Sequence, residues 1–126
     1  MSDFGVLSAV KKKLGEDPQL DRVFLTVPPK AQLPYTHIEP EELWSCLTPG
    51  GMKGIIKIKV AIFSESLNPQ ELLQLSERVR WRLEGVKLDL GPASSGVVKI
   101  TSVVVESPKP GQPRVAYQFY TILVRS

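Results

Sequence analysis

Cysteine and histidine occur once each in the 126-residue chain, as Cys46 and His37. One cysteine excludes an internal disulfide, and nothing else in the chain points to an oxidising compartment. One histidine and one cysteine also fall short of the donor set of a structural zinc site. Aromatic residues are few, at 7%. No apolar run approaches the roughly 20 residues of a membrane-spanning helix, so no membrane partner is expected. The N-terminal MSDFGVLSAVKKK sets its lysines after its apolar residues, the reverse of a secretory signal. These absences describe a soluble chain made in the cytoplasm. A strong charge of one sign is also lacking: 16 basic against 13 acidic residues leave a net charge of +3, spread along the chain. No dense basic stripe with interleaved aromatics appears, which argues against specific nucleic-acid recognition.

What is present fits one folded domain. Apolar residues make up 42% of a length sufficient for one real core. Residues 3–14 read as a helix, capped by Ser2 or Asp3, with Phe4, Leu7, Val10 and Leu14 at near-helical spacing and Gly15 as a stop. Lys11, Lys12 and Lys13 fall in its last turn, where positive charge suits the helix dipole. RVFLTV, residues 22–27, reads as a short strand ended by Pro28-Pro29. LPYTHIE, residues 33–39, reads as a second strand. A loop is expected from Pro40 to Lys53, through Trp44, Pro49, Gly50 and Gly51. The clearest strand is GIIKIKVAIFSES. Ile56, Ile58, Val60 and Ile62 alternate with Lys57 and Lys59, so one face is wholly apolar and the other mixed.

The next element is a helix with Asn68 as cap, Pro69 at its first position, Gly85 at its end and a stripe of Leu72, Leu75, Val79 and Leu83. Trp81 lies off that stripe, as a core-edge or an interface residue. The last third reads as a long hairpin, 97–106 with 114–125, joined by SPKPGQP, whose prolines deny it a ladder role. Both strands carry apolar side chains on both faces: Val103 and Val105 oppose Val104, and Tyr117 and Phe119 oppose Tyr120 and Ile122. A small one-sided sheet does not need that, which suggests cover from a neighbouring subunit. The predicted fold class is α+β: a mainly antiparallel sheet with two principal helices packed on one face, in a single domain.

Catalytic signals are weak. Strand alternation puts Tyr35, His37 and Glu39 on one face, a row that could do acid–base work but has no nucleophile or metal beside it in the sequence. A Cys46–His37 dyad needs the loop to fold back, and no nucleophile context surrounds Cys46. Gly50-Gly51 with Lys53 and Gly54 lacks phosphate-loop spacing and precedes a strand rather than a helix. No catalytic residue, metal or cofactor is expected, and His37 reads as a half-exposed strand residue.

The order of elements carries a resemblance. A helix leads to DPQLDRVF, a double proline and LPYTHIE. A glycine-bearing loop, GIIKIKVAIFSES, QELLQLSERVRWRLEG and a hairpin ending in QFYTILV follow. Over nearly the whole chain this resembles the tail completion, or tail terminator, proteins of long-tailed bacteriophages and gene transfer agents. The likeness lies in arrangement more than in any motif. It implies a sheet flanked by helices, a ring of typically six copies, and no enzyme activity. The ring would cap the tail tube and receive the head connector, placing the protein at the head–tail joint of the virion after assembly in the host bacterial cytoplasm. Its expected partners are other copies of itself, the tail tube protein and the head connector. Tyr117, Phe119 and Tyr120 are the candidate oligomer interface. Trp44 and Lys53 in the first loop, with Lys109 and Gln112 at the hairpin tip, are candidate partner contacts, since rigid sheets present function on loops. Two other functions fit the residues: a head-side neck connector of the same particle, and a small nucleic-acid-binding module stacking bases on Tyr117, Phe119 and Tyr120.

Overall fold

A computed structural model describes residues 5–20, 22–49, 51–65, 69–91, 95–107 and 109–125. Among these residues stand two helices and six strands, each helix followed by three strands: α1 (Val6–Gly15), β1 (Val23–Phe24), β2 (Tyr35–Thr48), β3 (Gly51–Ser64), α2 (Pro69–Leu83), β4 (Lys87–Asp89), β5 (Ser95–Val105) and β6 (Arg114–Arg125). The strands form one sheet in the order β1-β2-β3-β6-β5-β4. Every neighbouring pair is antiparallel except β1 with β2. The α+β class, with two helices on a mainly antiparallel sheet, is what the sequence pattern predicts.

β3 is the centre. It pairs along nearly its whole length with β2 on one side and β6 on the other. Its Ile56, Ile58, Val60 and Ile62 are buried in the core, together with Ala116, Tyr120, Ile122 and Val124 of β6. Onto this face pack Val6, Val10 and Leu14 of α1 and Leu72, Leu75, Val79 and Leu83 of α2. The α2 stripe and its start at Pro69 match the pattern, and Gly85, at φ 74, follows the helix in the left-handed region that glycine tolerates. Asn68, the expected cap, lies outside the described residues.

Several boundaries differ from expectation. α1 starts after Gly5 (φ 71), and Val6 takes the first core position. Ser2, Asp3 and Phe4 lie outside the described residues. The helix runs through Gly15 and ends at Glu16 in a right-handed turn, so glycine is not its stop. The strand expected over 22–27 is only two residues long. The expected loop 40–53 is instead a β-hairpin arm: β2 continues to Thr48, and β3 begins at Gly51. Pro40 does not break β2 because the pairing with β3 shifts register between Pro40 and Glu42, a bulge that accommodates a residue without an N–H. Trp44 and Lys53 therefore stand on strands, not in a loop. β4 was not foreseen; its three residues pair with the start of β5.

One ionic cluster ties the helices together. The Asp17 side chain, wholly buried after α1, accepts from Arg78 (2.8 Å) and Arg82 (3.2 Å) of α2 and from the Gln19 amide (2.9 Å). The Arg78 hydrogen bond leads the effects that hold the Asp17 carboxyl at about 2, below its ordinary 3.8, against the opposing pull of burial.

Two tests follow from this packing. Ile58→Ala should cost about 2–4 kcal/mol in urea melts, as removal of a fully buried branched side chain does. Lys59→Ala should cost under about 1 kcal/mol, because its partner is a half-exposed carboxylate; equal costs would sink the one-sided sheet. For Asp17 the folded pKa is depressed, so its stabilisation is fully present above pH 3.8 and is lost as pH falls through 2. On acidification from pH 5 to 2 the wild type should lose about 2 kcal/mol more than Asp17→Asn; parallel curves would remove the cluster from the stability account.

Candidate functional site

The sheet face away from the helices carries no covering element among the described residues. Cross-strand register arranges its side chains in rows. Tyr35, Phe63 and Val115 form one row; His37, Ala61, Tyr117 and Val104 the next; then Glu39, Lys59, Phe119 and Ser102. Further along stand Glu42, Lys57, Thr121 and Lys99, and then positions 44, 55, 123 and 97.

The first rows are aromatic and self-covering. Tyr35 stacks on Phe63 with centroids 4.7 Å apart and meets Phe24 at 6.0 Å. Tyr117 lies 6.5 Å from Phe119. The Lys59 ammonium sits 5.2 Å from the Tyr117 ring centre and pairs with Glu39 at 2.9 Å. The same pairing lowers the Glu39 carboxyl and raises the Lys59 amine, each through the hydrogen bond they share. Desolvation, then the nearby Glu106, pushes the Tyr117 phenol up. Lys57 pairs with Glu42 at 3.3 Å. Lys57 and Lys59 are thus each paired in place with a carboxylate.

Strand register does set Tyr35, His37 and Glu39 on one face. His37 Nδ1 lies 3.4 Å from Glu39 and Nε2 lies 3.3 Å from the Leu25 carbonyl oxygen. Tyr35 is stacked on Phe63, away from that pair. Cys46 is nine residues further along the same strand, about 30 Å away at an extended rise, so the dyad with His37 is not formed. No group of three or more potential metal ligands occurs among the described residues.

The candidate interface divides. Tyr117 and Phe119 lie half-buried on the open face. Tyr120 does not join them: it is 1% exposed on the helix side, where alternation along β6 sends it. Its hydroxyl bonds to Gln118 Oε1, and Gln118 Nε2 donates to the Ser76 carbonyl of α2 at 2.8 Å. Tyr120 is therefore core, sheet-to-helix glue with no surface to offer a partner or a base. Lys109 and Gln112 are exposed in the β5–β6 connection, as expected of a tip. Lys53 is exposed on β3, beside Arg125. The side chain of Trp44 lies outside the described residues; its backbone pairs with Ile55.

Sequence reasoning missed the edges of the sheet. β1 covers β2 only at positions 36 and 37, and β4 covers β5 only at 95–97. At these edges Leu43, Val103, Val104 and Val105 are exposed apolar residues. Pro-Gly-Gly at 49–51, between two β-rich segments, is a hairpin signal that could have revealed the longer arm. Trp81 is 77% exposed on α2, so it is not a core-edge residue, which leaves the interface reading of that position.

No protein-family model matches the chain, and no curated protein matches it. Among solved structures it is similar to a chain of the virion of a native gene transfer agent particle, with a TM-score of 0.79 and 16% identity, covering 94% of this chain and 93% of that one. At this identity the likeness is one of fold.

His37→Gln and Cys46→Ser should both leave folding intact, read by circular dichroism and urea melts. Loss of a biological activity with the fold unchanged would point to the Tyr35, His37 and Glu39 row as an active site.

Proposed function

We propose that this chain is a structural protein of a phage-like or gene transfer agent particle, acting by assembly rather than catalysis. Within that particle we assign it the role of tail terminator: a homo-oligomeric ring, six-membered by its family resemblance, that caps the tail tube and joins it to the head connector. The observation that carries the reading is the fold likeness to a gene transfer agent virion chain over nearly the full length of both chains. The element order of the sequence resembles the terminator family independently of that match. A cap must match the symmetry of the tube it ends, so a closed ring is expected in place of an open filament. The open sheet face with Tyr117 and Phe119, the turn between β2 and β3 and the exposed residues 109–112 are surfaces the described residues offer to the tube and the connector.

Removal of the gene from the parent particle tests this. The expected outcome is full heads, unattached tails, and tails of irregular and excessive length in the electron microscope. Normal-length tails joined to heads would rule out the terminator role. Heads that leak DNA beside normal free tails would assign the chain to the head-side neck instead.

A further inference from the structure

The two long edges of the sheet are unpaired over complementary stretches. Beyond Val98, no element among the described residues pairs with β5 up to Val105; beyond His37, none pairs with the outer side of β2. Which backbone groups face outward follows from the bonds that are made. Val98 exchanges both of its backbone bonds with the β4 side, through the Gly85 amide and the Val86 carbonyl, whereas the Glu106 amide donates inward to Val115. Strand alternation, corrected for the bulge between Ile100 and Ser102, then turns Ile100, Val103 and Val105 outward. On the other edge the Thr36 amide donates outward to the Arg22 carbonyl. Alternation and the bulge after Pro40 turn Ile38, Pro40 and Leu43 outward. Pro40, which lacks an N–H, thus sits where β3 asks nothing of it.

Three features make these edges fit one another. β2 and β5 run in opposite directions, since β2, β3, β6 and β5 are consecutively antiparallel. A second copy placed beside the first by rotation about an axis along the strands would therefore present an antiparallel β2 to β5, with all helices on one side. The outward residues on both edges are those whose side chains point to the helix side, so antiparallel bonding keeps the two faces in phase. Finally, among the strand residues that point to that side, the exposed large apolar ones described stand at these edges: Leu43 at 37%, Val103 at 46% and Val105 at 56%. An edge as long and apolar as Val103-Val104-Val105 is one that soluble proteins otherwise blunt.

We propose that the free edge of β5 pairs antiparallel with the free edge of β2 in the next copy, setting Leu43 of one subunit against Val103 and Val105 of its neighbour. The contact is head-to-tail, so it propagates around a ring rather than stopping at a dimer. Leu43 lies level with Val98 within one subunit, through Ile56 and Ile122, and Val103 lies level with Ile38, through Val60 and Gln118. The joint therefore staggers neighbouring subunits along the strands, as a sheet closing on itself requires. The inference deepens the ring assigned above and rests on it for the symmetry, but its test reads the contact itself.

In a Cys46→Ser background, Leu43→Cys, Val103→Cys and the double variant are treated with a short bismaleimide, over a concentration series of the purified chain and in cells producing the whole particle. The double variant should give a ladder of covalent oligomers, with both single variants remaining monomeric on denaturing gels. Val103→Pro, whose lost N–H faces outward, should keep native circular dichroism and abolish the ladder when combined with Leu43→Cys and Val105→Cys, a pair that ladders without it. Cross-linking by Val103→Cys alone would mean a two-fold β5–β5 dimer and overturn the proposal. Absence of any ladder in both settings would also overturn it, and would leave the edges to another protein. A ladder from a chain whose deletion leaves normal tails would uphold this contact while removing the terminator role; rings without a ladder would do the reverse.

Discussion

The alternation along β3 is the constraint on which the rest depends. A strand paired on both sides has no freedom of register, because a slip of one residue would send Ile56, Ile58, Val60 and Ile62 to the face where Lys57 and Lys59 now stand. With that register set, β2 and β6 inherit their faces, and through β6 so does β5. The helices then have one apolar surface to cover, and α2 covers it with a stripe of four aliphatic residues. The Asp17 carboxylate, held between two arginines of α2, fixes how the chain leaves α1. A buried carboxylate is a poor source of net stability, yet removing its partners would be costly, so it specifies more than it stabilises.

That arrangement spends both helices on one face. The other face must look after itself, and it does so with cross-strand pairs: Tyr35 on Phe63, Glu39 with Lys59, Lys59 against Tyr117. These pairs explain how aromatic side chains on an uncovered face stay half-buried. They also set Glu39 against Lys59 and His37 between the Leu25 carbonyl and the Glu39 carboxylate.

The sequence was most legible where periodicity and capping agree. α2 could be placed to within a residue or two and the alternating core of β3 from Gly54 on, since Pro69, Gly85 and the alternating isoleucines carry independent signals; the three residues of β3 before Gly54 were read as loop. Legibility failed where tertiary pairing overrides local preference. Pro40 argued for the end of β2, and its outward position beside the bulge, invisible without the partner strand, lets the strand continue to Thr48. Tyr120 read as one of an aromatic trio with Tyr117 and Phe119. Its neighbours in sequence are on the opposite face, and the partner that holds it, Gln118, is a polar residue whose burial no pattern announced. The two-residue β1 and three-residue β4 are set by contacts with β2 and β5 rather than by their own composition.

The edges connect these points to the low identity of the structural likeness. A joint made through backbone amides and carbonyls asks little of side chains beyond parity, small or apolar character near Leu43, Val103 and Val105, and the absence of charge pointing along the edge. A groove that recognised a ligand would ask for particular residues at particular places. A chain that works by extending its own sheet can therefore exchange most of its sequence and keep its architecture, provided the alternation of the central strand and the outward positions of the two edge strands persist. On that view the residues under the tightest constraint are the isoleucines of β3 and the glutamine–tyrosine pair beneath α2, which fix where the edges lie, and only then the edges themselves.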